Sequence, residues 1–339
     1  MKLNTTILHY LTWPLAAGLA LWIVSRLPAD ALMQAITQLR SAQWLIWIAI
    51  NVAVIVLLAG RWQLLSNAMG LSVKLGQLLR IRQAGQLISF VTPGPQFGGE
   101  PLQVYWLWKR YGVPGHSALL SVGLDRFYEL WINFAILLLA VLALLTTSAI
   151  DFVDWQFIAG VLLALLLAMG VLAWVLLTQP QRVRGWIQRL TRPWQHHPRL
   201  ARLDSHWEQL NESLRALLGQ QRPALIAALL VSLLAWLTMI AEFWLLLGFA
   251  GIDLGGEQGL TTFVFLFTIV RLAFLLPLPG GIGSVEAALF WAFQALALPL
   301  SAAAALIVLM RLRDVAVLLA GAALFPGLHK PLDPAPTHS

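Results

Sequence analysis

Residues 93–100 read Pro93-Gly94-Pro95-Gln96-Phe97-Gly98-Gly99-Glu100, and residues 279–286 read Pro279-Gly280-Gly281-Ile282-Gly283-Ser284-Val285-Glu286. A shift of 186 positions (286 − 100) superposes Pro on Pro, Gly on Gly and Glu on Glu. Both stretches interrupt apolar sequence, and the pieces beside them, about 83–92 and 284–297, are too short to cross a bilayer. A helix that stops at lipid depth leaves free N–H and C=O groups, which are tolerated only where protein buries them or a wet cavity receives them. Glycine lets the chain turn and approach a ligand, and the free N–H groups opening the next half-helix favour an anion such as phosphate. This makes Pro93, Gly94, Gly98, Gly99, Pro279, Gly280, Gly281 and Gly283 the turn and anion-binding candidates. Glu100 and Glu286 fall in the first turn after each break, where the helix dipole favours a carboxylate. Simple capping is the alternative reading of both.

Working outward, the rest of the chain has lipid as its solvent. Of 339 residues 59% are hydrophobic and 11% charged. Counted with glycine the apolar share is about 65%, where soluble domains have about 45–50%. This excludes a cytosolic enzyme, a secreted disulfide scaffold and a disordered chain. Seven stretches are long enough to span: about 7–24, 43–60, 116–148, 156–177, 223–249, 258–276 and 300–326. The first, behind Lys2, is read as a retained helix rather than a signal peptide, since no convincing cleavage site follows.

Charge gives the sidedness. Residues 61–82 carry Arg61, Lys74, Arg80 and Arg82 without an acid, and Lys109-Arg110 follow, so both places read as cytoplasmic. The arginine-rich loop 178–222 reads the same way, while Asp151/Asp154 and Asp253/Glu257 read as external. These assignments close if 83–108 and 258–297 each enter and leave from one side. The expected fold is an all-α polytopic membrane protein with about six full crossings and two re-entrant hairpins in inverted repeats, or 7–8 spans if a hairpin arm crosses. It is one integral-membrane domain, 1–326, with repeat halves about 43–148 and 223–326, both termini cytoplasmic and a flexible tail 327–339. Within the basic loop, Leu203, Trp207, Leu210, Leu214 and Leu217 form an amphipathic helical face, against the membrane or the protein's own underside.

After the first break, Ser117, Ser121, Asp125, Glu129 and Asn133 recur at every fourth residue, a slowly winding polar stripe on one helix. Ten charges fall at span depth: Glu100, Asp125, Arg126, Glu129, Glu242, Arg271, Glu286, Arg311, Arg313 and Asp314, six acids and four bases, net −2. A central charge facing lipid costs about 2.5–3.5 kcal/mol, so Asp125, Arg126 and Glu129 together would nearly cancel their span's insertion energy. They therefore face a protein interior or a wet groove. Buried ion pairing that fixes helix register is the other reading.

Other chemistry has no motif. There is no phosphate loop ending in Gly-Lys-Ser/Thr, no cysteine, and no ligand cluster beside His196-His197, so neither cofactor nor metal is expected. The net charge of +7 reports membrane topology rather than nucleic-acid binding.

The runs Gln86-Leu87-Ile88-Ser89-Phe90-Val91-Thr92-Pro93-Gly94, Gly98-Gly99-Glu100-Pro101-Leu102-Gln103-Val104-Tyr105 and Ser121-Val122-Gly123-Leu124-Asp125-Arg126 resemble the flippase-like family, also called the lysylphosphatidylglycerol synthase transmembrane region. Pro279 to Glu286 and Arg311 to Asp314 resemble its second half. The resemblance implies an inner-membrane protein of a bacterial cell that moves a lipid or lipid-linked headgroup between leaflets. Gln103 stands where members often have a basic residue, and no soluble aminoacyl-transferring segment follows residue 326. The chain is thus expected to be a transporter and not an enzyme, with a membrane lipid, and a lipid-synthesis enzyme, as expected partners. Arg126, Arg271 and Arg311 are the candidates for phosphate contact, given arginine's planar fork. Glu100, Glu286 and Asp125 are the candidates for a cationic headgroup or for protons, and Glu129, Asn133 and Asp314 complete the expected groove. The competing readings are an intramembrane lipid-modifying transferase with Glu100 or Asp125 as base, and a membrane scaffold subunit.

Overall fold

The chain is seen in a computed structural model that describes residues 39–92, 98–147, 153–178 and 219–325, with isolated positions elsewhere. The expected span 7–24, Pro93 and Gly94, most of loop 178–222 with its amphipathic face, and the tail apart from Leu328 lie outside the described residues. Nine α-helices are described: α1 (Ser41–Ala68), α2 (Leu75–Val91), α3 (Glu100–Tyr111), α4 (Gly115–Leu145), α5 (Trp155–Thr178), α6 (Arg222–Phe249), α7 (Gly256–Phe274), α8 (Ser284–Ala295) and α9 (Leu300–Leu324). A 3₁₀ turn, Pro279–Gly281, joins α7 to α8, and no strand occurs among the described residues. This is the all-α polytopic membrane architecture.

Local chemistry sets the helix ends. Pro93 follows Thr92, whose hydroxyl donates to the Ile88 and Ser89 carbonyls and closes α2. Pro114 and Pro299 occupy the positions just before α4 and α9, and Pro223 sits in the first turn of α6, where a missing N–H costs nothing. Asp154 accepts the Phe157 N–H at 2.9 Å and caps α5.

Helices α1, α4, α5, α6 and α7 are long and apolar enough to cross a membrane. Helix α9, at 25 residues, is also long enough but carries Arg311, Arg313 and Asp314 in mid-helix. Helix α8, at 12 residues, reaches about 18 Å and falls short of a bilayer core of about 30 Å. Four helices recur in order: α1 to α4 have 28, 17, 12 and 31 residues, and α6 to α9 have 28, 19, 12 and 25.

One reading of the loop charges needs correction. Arg61 and Arg82, counted above as cytoplasmic loop charges, are buried on α1 and α2. Helix α1 continues through Arg61 to Ala68, and α2 starts at Leu75, so the connection between them is only residues 69–74. An apolar window stops at the first arginine, but a helix does not when a partner neutralises that arginine.

The chain divides into two compact units, one of Met1–Ala59, Lys74–Tyr111 and Leu234–Ser339, the other of Gly60–Val73 and Gly112–Leu233. In the first, α2 packs against α9, α3 and the 3₁₀ turn, and α8 packs against α7 and α9. Helices α2 and α3 form an antiparallel hairpin: Ser89 accepts the Gly99 N–H at 3.0 Å, and Gln103 lies on Gly85. A side chain at Gly99 would collide with the Gly85 carbonyl, so this crossing requires glycine. Helices α7 and α8 pair similarly, with Ser284 donating to the Ala273 carbonyl at 3.1 Å and the Phe265 and Trp291 rings 6.1 Å apart. In this unit the Phe90 ring of α2 covers Gly280 of the second break. In the second unit, α4 packs along α5, and the Tyr128 hydroxyl donates to the Leu225 carbonyl at 3.3 Å. Leu139, Leu163, Leu167, Ile226 and Leu230 are exposed, as expected of helices whose outer solvent is lipid.

Candidate functional site

Five of the first unit's charges gather on the second break. At Gly280 and Gly281 the backbone turns left-handed, with φ of 56° and 62°, a conformation open to glycine at little cost. The turn aims two carbonyls at Arg311 of α9, which is 2% exposed. Its Nη1 donates to the Gly280 carbonyl and its Nη2 to the Gly281 carbonyl, both at 3.1 Å. Its Nε donates to Glu286 Oε1 at 2.6 Å, and Nη1 also to Asp314 Oδ2 at 2.7 Å. One guanidinium thus holds two carbonyls of a broken helix, the Gly281 one shared with the Ser284 hydroxyl at 3.1 Å, and two carboxylates, a task that suits its rigid fork. The other oxygen of Glu286 accepts the Gly283 N–H at 2.8 Å, so Glu286 both caps α8 and ties it to α9.

The network continues to α6 and α1. Arg313 Nη1 donates to Glu242 Oε2 at 3.3 Å and pairs with Asp314 at 3.5 Å, while Asn51 Nδ2 donates to Glu242 Oε1 at 3.0 Å. Two arginines (Arg311, Arg313) against three acids (Glu242, Glu286, Asp314) leave a formal charge of −1. The Glu286 and Arg313 side chains are about a quarter exposed, and Arg311, Asp314 and Glu242 are more enclosed.

Four of the second unit's charges, two bases and two acids, pair between α1 and α4 as a tetrad. Arg61 of α1, fully buried, donates through Nε to Asp125 at 2.8 Å and through Nη2 to Glu129 at 3.2 Å. Arg126 pairs with the other Glu129 oxygen at 3.2 Å. One turn earlier the Trp62 indole N–H and the Ser66 hydroxyl both meet Ser121 Oγ at 2.9 Å. The polar stripe on α4 therefore packs against the end of α1 through Ser121, Asp125 and Glu129, while Ser117 and Asn133 are half-buried.

The remaining candidates fall elsewhere. Glu100 accepts the Gly98 N–H at 2.7 Å in the first turn of α3. With the Gly99 N–H on Ser89, the N–H groups of Gly98 and Gly99 are both engaged within the protein. Arg271 lies 4.3 Å from the Trp236 ring centroid and 5.5 Å from that of Phe267, and donates to Met239 Sδ at 3.4 Å. Among the described residues no group of three or more His, Asp or Glu could hold a metal, and His196-His197 lie outside them.

Arg61, Trp62, Ser66, Asn51 and the pairing of Glu242 were not named from the sequence as site residues. For Arg61 a signal existed. The stripe carries two acids at span depth and Arg126 alone to answer them, so a second buried cation had to come from another helix.

Long apolar helices, a broken helix clasped by an arginine and charge clusters held between helices define a polytopic membrane protein of the broken-helix kind. The chain belongs to the family described as the lysylphosphatidylglycerol synthase TM region, which it matches over residues 9–321. It is 25% identical over 272 residues to a UPF0104 membrane protein of Methanothermobacter thermautotrophicus, an alignment covering 77% of this chain and 78% of that one. It is 21% identical over 267 residues to another UPF0104 membrane protein, of Methanocaldococcus jannaschii, covering 78% and 77%. No solved structure gives a significant match.

Proposed function

We propose that this protein carries a lipid or lipid-linked headgroup between the leaflets of a cell membrane, with its acyl tails left in the bilayer, and that it forms no covalent product. The observation that supports this most is the second break: a helix interrupted among lipid-depth helices, clasped by Arg311, with Glu286 and Arg313 about a quarter exposed at its edge. Charged groups with that access, on helices otherwise solvated by lipid, suit a polar path for a headgroup better than a purely structural pair. The lipid headgroup is the partner, and a lipid-synthesis enzyme that feeds it is part of the proposal. The bacterial inner membrane is the proposed location, with both termini in the cytoplasm. Since the chain lacks cysteine, single cysteines at Gly115, Asp151 and Gln258 report sidedness without background. Cytoplasmic labelling of Asp151 and Gln258 positions would overturn that topology.

The test is transbilayer lipid movement in reconstituted vesicles. Asp125→Asn and Glu286→Gln lower the rate, and no new lipid species appears in any sample. A chemically converted lipid would assign a transferase instead, with Glu100 or Asp125 as its base. Movement unchanged in both variants would leave a scaffold role.

A further inference from the structure

The first hairpin has a second polar end that the charge clusters do not use. Its register follows from three contacts, Ser89 with Gly99 and Gly85 with Gln103, whose numbers sum to 188, and Gly85 with Gly99, whose numbers sum to 184. Continued along the hairpin, Arg80 is level with the last turns of α3, between Val104 and Trp108, and Lys74 lies at or past its end. The mouth of the hairpin thus gathers Lys74 and Arg80 from α2 with Trp108 and Lys109 from α3. Lys74, Arg80 and Lys109 are all exposed.

Helix α3 divides its aromatic residues by side. Trp106 and Leu107 are 1% and 0% exposed, whereas Tyr105 and Trp108 are 49% and 48% exposed. The Lys109 ammonium lies 3.7 Å from the Trp108 ring centroid, over the indole face. Amphipathic rings beside lysines are the composition that settles at headgroup level. The sequence has no acid between Asp30 and Glu100 or between Glu100 and Asp125, and Glu100 sits at the far end of α3. No carboxylate of the hairpin therefore competes for the three cations at its mouth.

We propose that this mouth is a headgroup site for an anionic phospholipid of the surrounding leaflet. The exposed Tyr105 and Trp108 rings lie along the upper acyl chains, and Lys74, Arg80 and Lys109 hold the phosphate. The site is separate from the clasped break, and its occupant need not be the lipid that moves. It would fix the hairpin in one leaflet and make its seating depend on anionic lipid content.

Gly76, exposed with open space around it on the first turn of α2, is a place for a reporter. The full-length Gly76→Cys protein, labelled with bimane, is reconstituted in phosphatidylcholine vesicles and titrated with brominated phosphatidylglycerol or brominated phosphatidylcholine. Half-quenching by the anionic lipid is expected at a roughly fivefold lower mole fraction than by the zwitterionic one. The added changes Lys74→Gln, Arg80→Gln and Lys109→Gln bring the ratio to about one, and 0.5 M salt lowers it in the parent, in the manner of a screened surface interaction. Equal quenching by both lipids in the parent overturns the site, as does a preference that survives the triple change. Loss of the preference on adding millimolar inorganic phosphate reassigns it to a free anion and overturns the lipid. Because binding is read rather than movement, a failed transport assay leaves this result standing, and the reverse holds too.

Discussion

Replacing Arg311 should loosen the second break more than it removes a charge. In Arg311→Ala the Gly280 carbonyl loses its donor, the Gly281 carbonyl keeps only the Ser284 hydroxyl, and Glu286 and Asp314 face each other without the cation between them. Removing one partner of a buried pair costs about 3–5 kcal/mol, and a carbonyl left unmatched about 1–3 more. Water reaching the quarter-exposed Glu286 recovers part of that, so about 3–5 kcal/mol is the expected total. With an unfolding entropy of about 2.1 cal/mol/K per residue, a chain this long shifts about 1.4 °C per kcal/mol, which predicts a fall in Tm of about 4–7 °C. Intrinsic tryptophan fluorescence in detergent measures it. Arg311→Lys discriminates between the two roles. A lysine keeps the charge for a phosphate but cannot span two carbonyls and two carboxylates, so a clasp predicts that it destabilises about as much as alanine. Adding Glu286→Gln to Arg311→Ala removes one stranded carboxylate, so the double variant should be less than additive. A parent-like Tm in Arg311→Lys, or strict additivity in the double variant, would refute the clasp.

The tetrad makes a parallel prediction: Arg61→Met should cost about 3–5 kcal/mol, and adding Asp125→Leu should return part of it, checked by thermal midpoints of the three proteins. Gly280→Ala places a methyl into the Phe90 ring at a left-handed φ, so expression and Tm should fall, and Phe90→Ala should rescue only the steric part. Trp62→Phe leaves Ser121 its Ser66 partner and removes one hydrogen bond, for a loss of about 1 kcal/mol, roughly 1–2 °C in the same assay. Gly99→Ala should disrupt the hairpin crossing and make Cys-labelled Gly76 bimane emission shift toward a wetter environment.

Much of the architecture was legible because lipid imposes long, simple signals. A span about 20 residues long leaves a clear apolar window, and a Pro/Gly break inside one is conspicuous. The expected spans from 43–60 onward all appear as helices, with ends that moved by a few residues except at Arg61. That exception is physical. Hydropathy prices each residue as if alone, whereas Arg61 is buried at the cost of a matched pair on another helix, information that resides in no window. The same reason hid Asn51 on Glu242, a contact across 191 positions of sequence. The doubled role of Glu286 was half legible: the capping geometry follows from its spacing to Gly283, but its bond to Arg311 needs the fold. Arg271, chosen for phosphate contact for its depth and its planar fork, lies against Trp236 and Phe267, a placement set by the tertiary packing.

The two halves keep one plan of helices while exchanging the sign at its centre. The 186-residue shift that aligns Glu100 with Glu286 also aligns position 125 with 311 (125 + 186), an aspartate with an arginine. Both residues are buried near the middle of the long helix that follows a break. On α4 the buried acid is answered by a base from α1, and the four side chains Arg61, Asp125, Arg126 and Glu129 sum to zero. On α9 the buried base is answered by acids from α8 and α9, then through Arg313 by α6, and the group closes one negative charge in excess. A simple register-fixing pair would work with either sign, and nothing in helix packing requires the reversal. What the sign does determine is the backbone nearby: a cation at 311 can hold the carbonyls of Gly280 and Gly281, which an aspartate there would repel. The reversal therefore assigns the clasp to the second break. An Arg311→Asp change should abolish it more completely than alanine does, with a lower Tm than Arg311→Ala as the measured sign.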